Sequence, residues 1–365
     1  MDWELEAIPK PRGPAQRLGG LSARPEEGVV PLRPMTDEQR WLKGFRDSFY
    51  TPSGFTLLEV IVASAVLVLI ISLLLGVISQ TSSITRSAAQ KIAAFQGARA
   101  AFDLMARHVS QATLNAYWDY DQLPSPTRYL RKSELHFLIG KAGVPPFPGT
   151  PGSGHAIFFQ APGGVTAAPA TYGGLETLLN AMGYFVEYRA QESLPTPFPP
   201  EAPIYRYRLM QAIQPTEDLR VYGSTTGDSW IAGMAGTASP VADNVICLIV
   251  WPRRSPEDDP TGLALSSNFS YDSRLNVSAN PQAETANQLP PTVQLTIVAI
   301  DEASAARFCV SPTPPDNLAN TLAGLFENAD AYTADLTTLE NRLSEERITF
   351  RTFSVTVPIR ESKME

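Results

Sequence analysis

The chain has 365 residues, a formal charge of −8, three histidines and two cysteines, Cys247 and Cys309. Two cysteines exclude a disulfide framework and a cysteine-rich zinc site and leave at most one bridge. Residues 1–54 hold eight basic and eight acidic residues, so residues 55–365 carry the whole −8; an acidic body argues against nucleic acid as the main partner, because phosphate binding needs clustered Lys and Arg.

From Ala7 to Pro34 the chain is rich in Pro, Gly and Arg with no apolar period, a composition that cannot bury a core. Thr36 to Phe49 predicts a short amphipathic helix with Trp41, Leu42, Phe45 and Phe49 toward one side. Met35 offers a second start, which would reduce this region to a leader of residues 35–54.

Phe55 to Ile78 is a run of 24 residues with a single charge, Glu59. As a helix it covers about 36 Å, enough for a hydrocarbon core of about 30 Å. Arg40, Lys43 and Arg46 precede the run, and the first basic residue after it is Arg86. The positive-inside tendency therefore puts the N-terminus in the cytoplasm and the remainder across the membrane. A secretory signal does not fit, because its apolar core is short and its small residues follow the core. Here Pro52, Ser53 and Gly54 come first, and a cut there leaves the helix on the mature chain as an anchor. Beyond Gln80 the residues Ile84, Ala88, Ile92, Phe95, Phe102, Met105 and Val109 recur three, four or seven apart. Arg86, Lys91, Arg99, Asp103 and Arg107 fall mostly off that stripe, the pattern of an amphipathic helix. One helix from Phe55 to about Thr113 is expected, its second half seeking a domain to pack on.

That domain is expected over residues 114–365. Strand-like runs are Glu134–Ile139, Ala156–Gln160, Tyr184–Arg189, Tyr205–Met210, Val245–Trp251, Val293–Ile300 and Ile348–Ile359. Three of them, YFVEYR, YRYRLM and TFRTFSVTV, alternate as antiparallel strands with one buried face do. Leu318–Leu343 predicts two short helices covering a sheet edge. The economical reading is one α+β domain.

A carboxylate inside an apolar span is costly and marks either a partner or a reach toward the headgroups. Glu59 stands five positions into the run, and a cut between Gly54 and Phe55 would create an α-amine four residues away; a neighbouring subunit's amine could then neutralise it. Enzyme signatures are weak. His108, His136 and His155 fall on the long helix, a strand and a loop edge without metal-ligand spacing, and His108 reads as a helix-surface residue. Glu257, Asp258 and Asp259 are the best cation candidates, for calcium, although their spacing is not an EF-hand loop. Cys247 and Cys309 read as buried thiols, with a bridge available if their strands are neighbours. Tyr117, Trp118 and Tyr120 either bind a partner or cap the long helix, capping being preferred.

Gly54-Phe55-Thr56-Leu57-Leu58-Glu59-Val60 followed by an unbroken apolar run resembles the processing signal of type IV prepilins and type II secretion pseudopilins. The resemblance implies a pilin-like α+β fold, cleavage by a prepilin peptidase after Gly54, N-methylation of Phe55, and Glu59 as the carboxylate that aligns subunits in a filament. Asp243-Asn244-Val245 leading into ICLIVW, and Leu289 to Leu295 leading into TIVAI, are similar to paired strands in the heads of the larger minor subunits, of the J pseudopilin or W pilin kind. Most closely the chain resembles the Verru_Chthon cassette protein C family. It departs from the prepilin pattern in its long leader and in lacking a basic residue directly before Gly54. The expectation is a non-enzymatic minor subunit anchored in the inner membrane with its head in the periplasm or outside the cell, at or near a filament tip, without cofactor or nucleic acid. The rivals are an anchored, non-polymerising adhesin-like protein, a DNA-uptake pilin marked by a basic strip, and an anchored enzyme with a polar cleft.

Overall fold

A computed structural model describes residues 54–121, 123–191, 203–223, 228–277 and 284–364. The expected unfolded leader and the Thr36–Phe49 helix lie outside the described residues. The chain divides into two compact units, Met1–Leu75 and Gly76–Glu365.

Helix α1, Leu57–Ser110, has 54 residues and is continuous, as its apolar spacing predicts; at the α-helical rise it is about 81 Å long. Its Leu57–Ser82 stretch is long and apolar enough to cross a membrane, and its large apolar side chains are exposed. Alone in water, such a row of exposed Leu, Ile and Val would be a large aggregation liability. In the second unit the stripe takes over. Ala98, Ala101, Phe102, Met105 and Val109 are buried, while Arg99 and Asp103 form an exposed i,i+4 pair at 3.7 Å. The side chains of Ile84, Arg86, Ala88, Lys91 and Ile92 lie outside the description.

The second unit is mixed α+β. A two-stranded hairpin, β1 (Tyr117–Tyr120) with β2 (Tyr129–Lys132), follows α1. The remaining strands are β3 (Leu138–Lys141), β4 (His155–Pro162), β5 (Leu179–Ala190), β6 (Tyr205–Gln214), β7 (Ser239–Asp243), β8 (Val245–Arg253), β9 (Tyr271–Asp272), β10 (Thr292–Ile300) and β11 (Phe350–Pro358). They form a six-stranded sheet ordered β7-β6-β5-β4-β3-β9 and a three-stranded sheet ordered β11-β10-β8, every pair antiparallel. The helices are one turn at Pro169–Tyr172 (α2), Ser229–Ala235 (α3), Glu302–Phe308 (α4), Asp316–Leu322 (α5) and Tyr332–Glu345 (α6).

The main core lies on one face of the six-stranded sheet. Ile157, Phe159, Met182, Tyr184 and Leu209 meet the buried stripe of α1 and the three-stranded sheet there. Phe102 of α1 stacks at 6.3 Å on Phe353 of β11. The expectation of one buried face for the Tyr184–Arg189 and Tyr205–Met210 runs is corrected: β5 and β6 are buried on both faces over most of their length. Ala156, Phe158, Ala181, Phe185, Met210 and Ala212 point away from α1 into a second core, closed by Trp230, Ile231 and Met234 of α3. Trp230 meets Phe158 edge-on at 6.0 Å. The two arginines that made β6 look half-exposed are buried and paired, while Glu187 and Arg189 of β5 stay half-exposed. Arg206 bonds Glu302 at 2.6 Å, and Arg208 bonds Asp243 at 2.7 Å.

The two expected helices between Leu318 and Leu343 are α5 and α6, but α6 covers a face of the three-stranded sheet, not an edge. Tyr332 hydrogen-bonds Thr296 of β10 at 2.8 Å, and Thr352 of β11 donates to Glu340 at 3.1 Å. Polar Thr and Ser on that face made it read as exposed.

The sheets touch at one tight point. Gly154 bridges Leu248 in parallel, with Leu248 N–H donating to the Ser153 carbonyl at 3.0 Å. Gly154 has φ +91°, and a Cβ there would lie 2.1 Å from the Leu248 carbonyl oxygen. Only glycine allows both the dihedral and the approach.

Candidate functional site

The start of α1 is built by its own residues. Thr56 is the last residue before the helix, its carbonyl accepting from Val60 N–H at 3.2 Å and its hydroxyl from Glu59 N–H at 3.3 Å. Thr-x-x-Glu is the capping-box pattern, in which the hydroxyl satisfies an orphan donor and the acidic residue sits in the first turn, facing the positive end of the helix dipole. Gly54 and Phe55 precede the cap and are exposed, and Glu59 is exposed in the first turn. The sequence argument treated Glu59 as a charge stranded in lipid and missed this local role, although the T-x-x-E spacing was there to read.

In the second unit the predicted polar residues are dispersed. His108 is a half-buried clasp, not a surface residue: its Nδ1 lies 2.6 Å from the Tyr184 hydroxyl, to which Gln211 Nε2 also donates. Burial lowers the His108 pKa, and Arg107 adds to the effect. His155, expected at a loop edge, is the first residue of β4 and is wholly buried. Its Nδ1 accepts from Val250 N–H at 3.3 Å, and Phe269 packs on the ring. Desolvation pushes its pKa down to about 3, Lys141 helping and a Phe326 backbone hydrogen bond opposing. His136 stands just before β3, its pKa also lowered chiefly by burial. The three histidines sit in three different settings and do not converge.

Cys247, in β8, and Cys309, directly after α4, are both free and buried. Burial pushes the Cys247 thiol up to about 12 and raises Cys309 as well, so neither is poised as a thiolate. Of the acidic triplet, Glu257 and Asp258 face solvent while Asp259 is buried. The Asp259 carboxylate accepts from Thr261 Oγ1 at 2.7 Å, Gly262 N–H at 3.0 Å and Ala264 N–H at 2.7 Å. Its lone pairs hold a turn. Among the described residues no group of three or more His, Cys, Asp or Glu is placed to hold a metal ion.

Tyr117, Trp118 and Tyr120 do not cap α1. They lie on the exposed strand β1, with Trp118 65% exposed, Tyr120 stacked on Tyr129 at 5.0 Å and the Arg131 guanidinium 5.4 Å over Trp118. Beside this hairpin opens a cleft of about 690 Å³, lined by Trp118, Arg128 to Arg131, Arg254, Glu284, Gln288 and the C-terminal Lys363 and Met364. Four cations, Arg128, Arg131, Arg254 and Lys363, meet there with one carboxylate, Glu284, which pairs Arg254 at 3.5 Å. Arg131 Nη1 and Gln288 Oε1 are buried without a hydrogen-bond partner among the described residues. Desolvation lowers the Arg131 pKa, so its charge is held at a cost. Sequence reasoning missed this cluster, because its members span more than 230 positions and form no motif.

No family model, curated protein or solved structure matches the chain.

Proposed function

We propose that the chain is a prepilin-like minor subunit, cut between Gly54 and Phe55, N-methylated on Phe55, and assembled into a type IV pilus or type II secretion-like filament. One observation carries the reading. Gly54-Phe55 is an exposed, non-helical junction abutting a capped helix, which runs unbroken from a lipid-compatible span into the buried stripe of a mixed α+β head. A peptidase needs an accessible, non-helical bond, and the residues before Thr56 supply one. The helix on antiparallel sheets is read as pilin-like, and the large head favours a place at or near the filament tip. In this reading the subunit waits in the inner membrane with its N-terminus cytoplasmic, and its partners are the peptidase and other subunits meeting it along α1.

The second reading is an anchored extracytoplasmic binding protein that never polymerises, and the cationic cleft favours it. Intact mass and N-terminal analysis of the membrane-extracted protein separates the two. The filament reading predicts methylated Phe55 as the first residue; a chain that retains residues 1–54 in cells with a working prepilin peptidase overturns it.

A further inference from the structure

We propose that the cleft beside the β1–β2 hairpin binds an extended, acidic polypeptide segment, which adds to the outer edge of β2. The inference is independent of whether α1 enters a filament.

The first support is electrostatic. The second unit is acidic in total, yet Arg128, Arg131, Arg254 and Lys363 converge on a cleft lined by a single carboxylate, Glu284, while Asp121, outside that lining, pairs Arg128 at 3.8 Å. Like charges brought together at a partly desolvated site repel one another, and an incoming anion relieves that. Arg131 matters most: it is partly buried, and its Nη1 lacks a partner in the described residues. A guanidinium with a spare N–H is shaped for a carboxylate.

The second support is the backbone. Among the described residues β2 pairs with β1 alone. Asp121 N–H donates to the Arg128 carbonyl at 3.1 Å, which fixes the alternation of the ladder. In the register Tyr120↔Tyr129 and Trp118↔Arg131, the N–H and C=O groups of Tyr129 and Arg131 then point away from β1. Arg131 C=O accepts from Asn287 Nδ2 at 2.7 Å on that outer side, next to Gln288 of the cleft wall. Arg128, Tyr129, Leu130 and Arg131 all line the cleft, as a strand edge does and a strand face does not. An edge that meets no further strand among the described residues and is flanked by cations is a template for strand addition, where backbone bonds give affinity and alternate side chains give selectivity. That edge favours a polypeptide over a nucleic acid, which has no backbone N–H and C=O ladder to pair with it.

The test uses the full chain in detergent micelles and fluorescence anisotropy of a labelled octapeptide of alternating Glu and Thr. Three companion probes are the same peptide N-methylated on alternate backbone nitrogens, a Lys-for-Glu peptide, and a single-stranded oligonucleotide. Arg128→Glu and Lys363→Glu, both at exposed positions, are combined, with the thermal unfolding midpoint as the control for folding. The expected result is saturable binding of the acidic peptide, weakened about tenfold or more by the double reversal and by a rise from about 25 to about 300 mM salt. N-methylation and charge reversal of the peptide are each expected to abolish binding. Equal binding by the double variant, equal binding of the N-methylated peptide, or tighter binding of the oligonucleotide overturns the proposal.

Discussion

At the scale of single residues, Glu59 and His155 show how burial and position set the meaning of a charge. Glu59 sits in the first turn of α1, three residues after the Thr56 cap, and is exposed. Glu59→Gln keeps the volume and the first-turn position but removes the charge. On the filament reading it is expected to enter the membrane normally and to be absent from sheared filaments; incorporation at the unsubstituted level, read by quantitative immunoblot, would exclude a role in assembly. His155 is held neutral in the folded chain, its pKa lowered from 6.5 to about 3. The unfolded chain therefore binds the proton more readily, so the stabilisation is full above about pH 6.5 and is lost as pH falls toward 3. Each pH unit in that window costs about 1.4 kcal/mol. Between pH 6.5 and 5, before the carboxylates titrate, denaturant unfolding should show this slope. His155→Gln, which keeps an acceptor for Val250 N–H, should flatten it, leaving the smaller contributions of His108 and His136, also shifted down. An unchanged slope would show that His155 protonates freely in the folded state.

At the scale of elements, two glycines carry packing that no side chain could. Gly183 of β5 lies opposite Phe158 of β4, and a Cβ there would fall 2.2 Å from the Phe158 ring. Gly154 meets the Leu248 carbonyl where the two sheets join. Gly154→Ala is expected to destabilise the head by about 2–4 kcal/mol, from strain at positive φ and from forcing the junction apart, measured by urea unfolding. A change under about 0.5 kcal/mol would mean that the junction yields freely. Much of the fold was legible at this scale. Six of the seven apolar runs fall on strands, because β-branched and aromatic residues bounded by Gly and Pro have few other uses, while Glu134–Ile139 meets β3 only at Leu138 and Ile139. The hairpin β1–β2 and strand β7 escaped because YWDY, YLRK and SPVAD are short and mostly exposed or half-buried, so no burial pattern marks them. The double burial of β5 and β6 was hidden because Arg206, Arg208 and Tyr184 are polar in sequence and neutralised only by partners from α4, β7 and β6.

At the scale of the whole molecule, two places invite chemistry, and they differ in how they are written. The helix start is contiguous, so its residue order could be read directly. The cleft draws on the hairpin, the Arg254 and Glu284–Gln288 segments and the C-terminal residues, and it exists only after folding. A head whose acidic surplus is interrupted by one cationic cleft has a preferred orientation toward an acidic partner, through long-range steering that weakens with salt. The two places also fail separately. Loss of processing at Gly54 leaves the cleft intact, and reversal of Arg128 and Lys363 leaves the helix start intact.

The Thr56 cap has a consequence for the moment of cutting. Because the cap is Thr56 and not a residue of the leader, hydrolysis at Gly54–Phe55 removes nothing that the helix needs to begin. On the proposed processing, an uncharged peptide nitrogen there becomes an ammonium. The new ammonium on Phe55 adds to the positive end of the helix dipole, and the first-turn carboxylate becomes its nearest counterweight. On the filament reading, a freshly cut subunit would satisfy its own end imperfectly and would gain by exchanging that partner for one on a neighbour. Trimming the chain turns a self-contained helix start into one with an unmet valence.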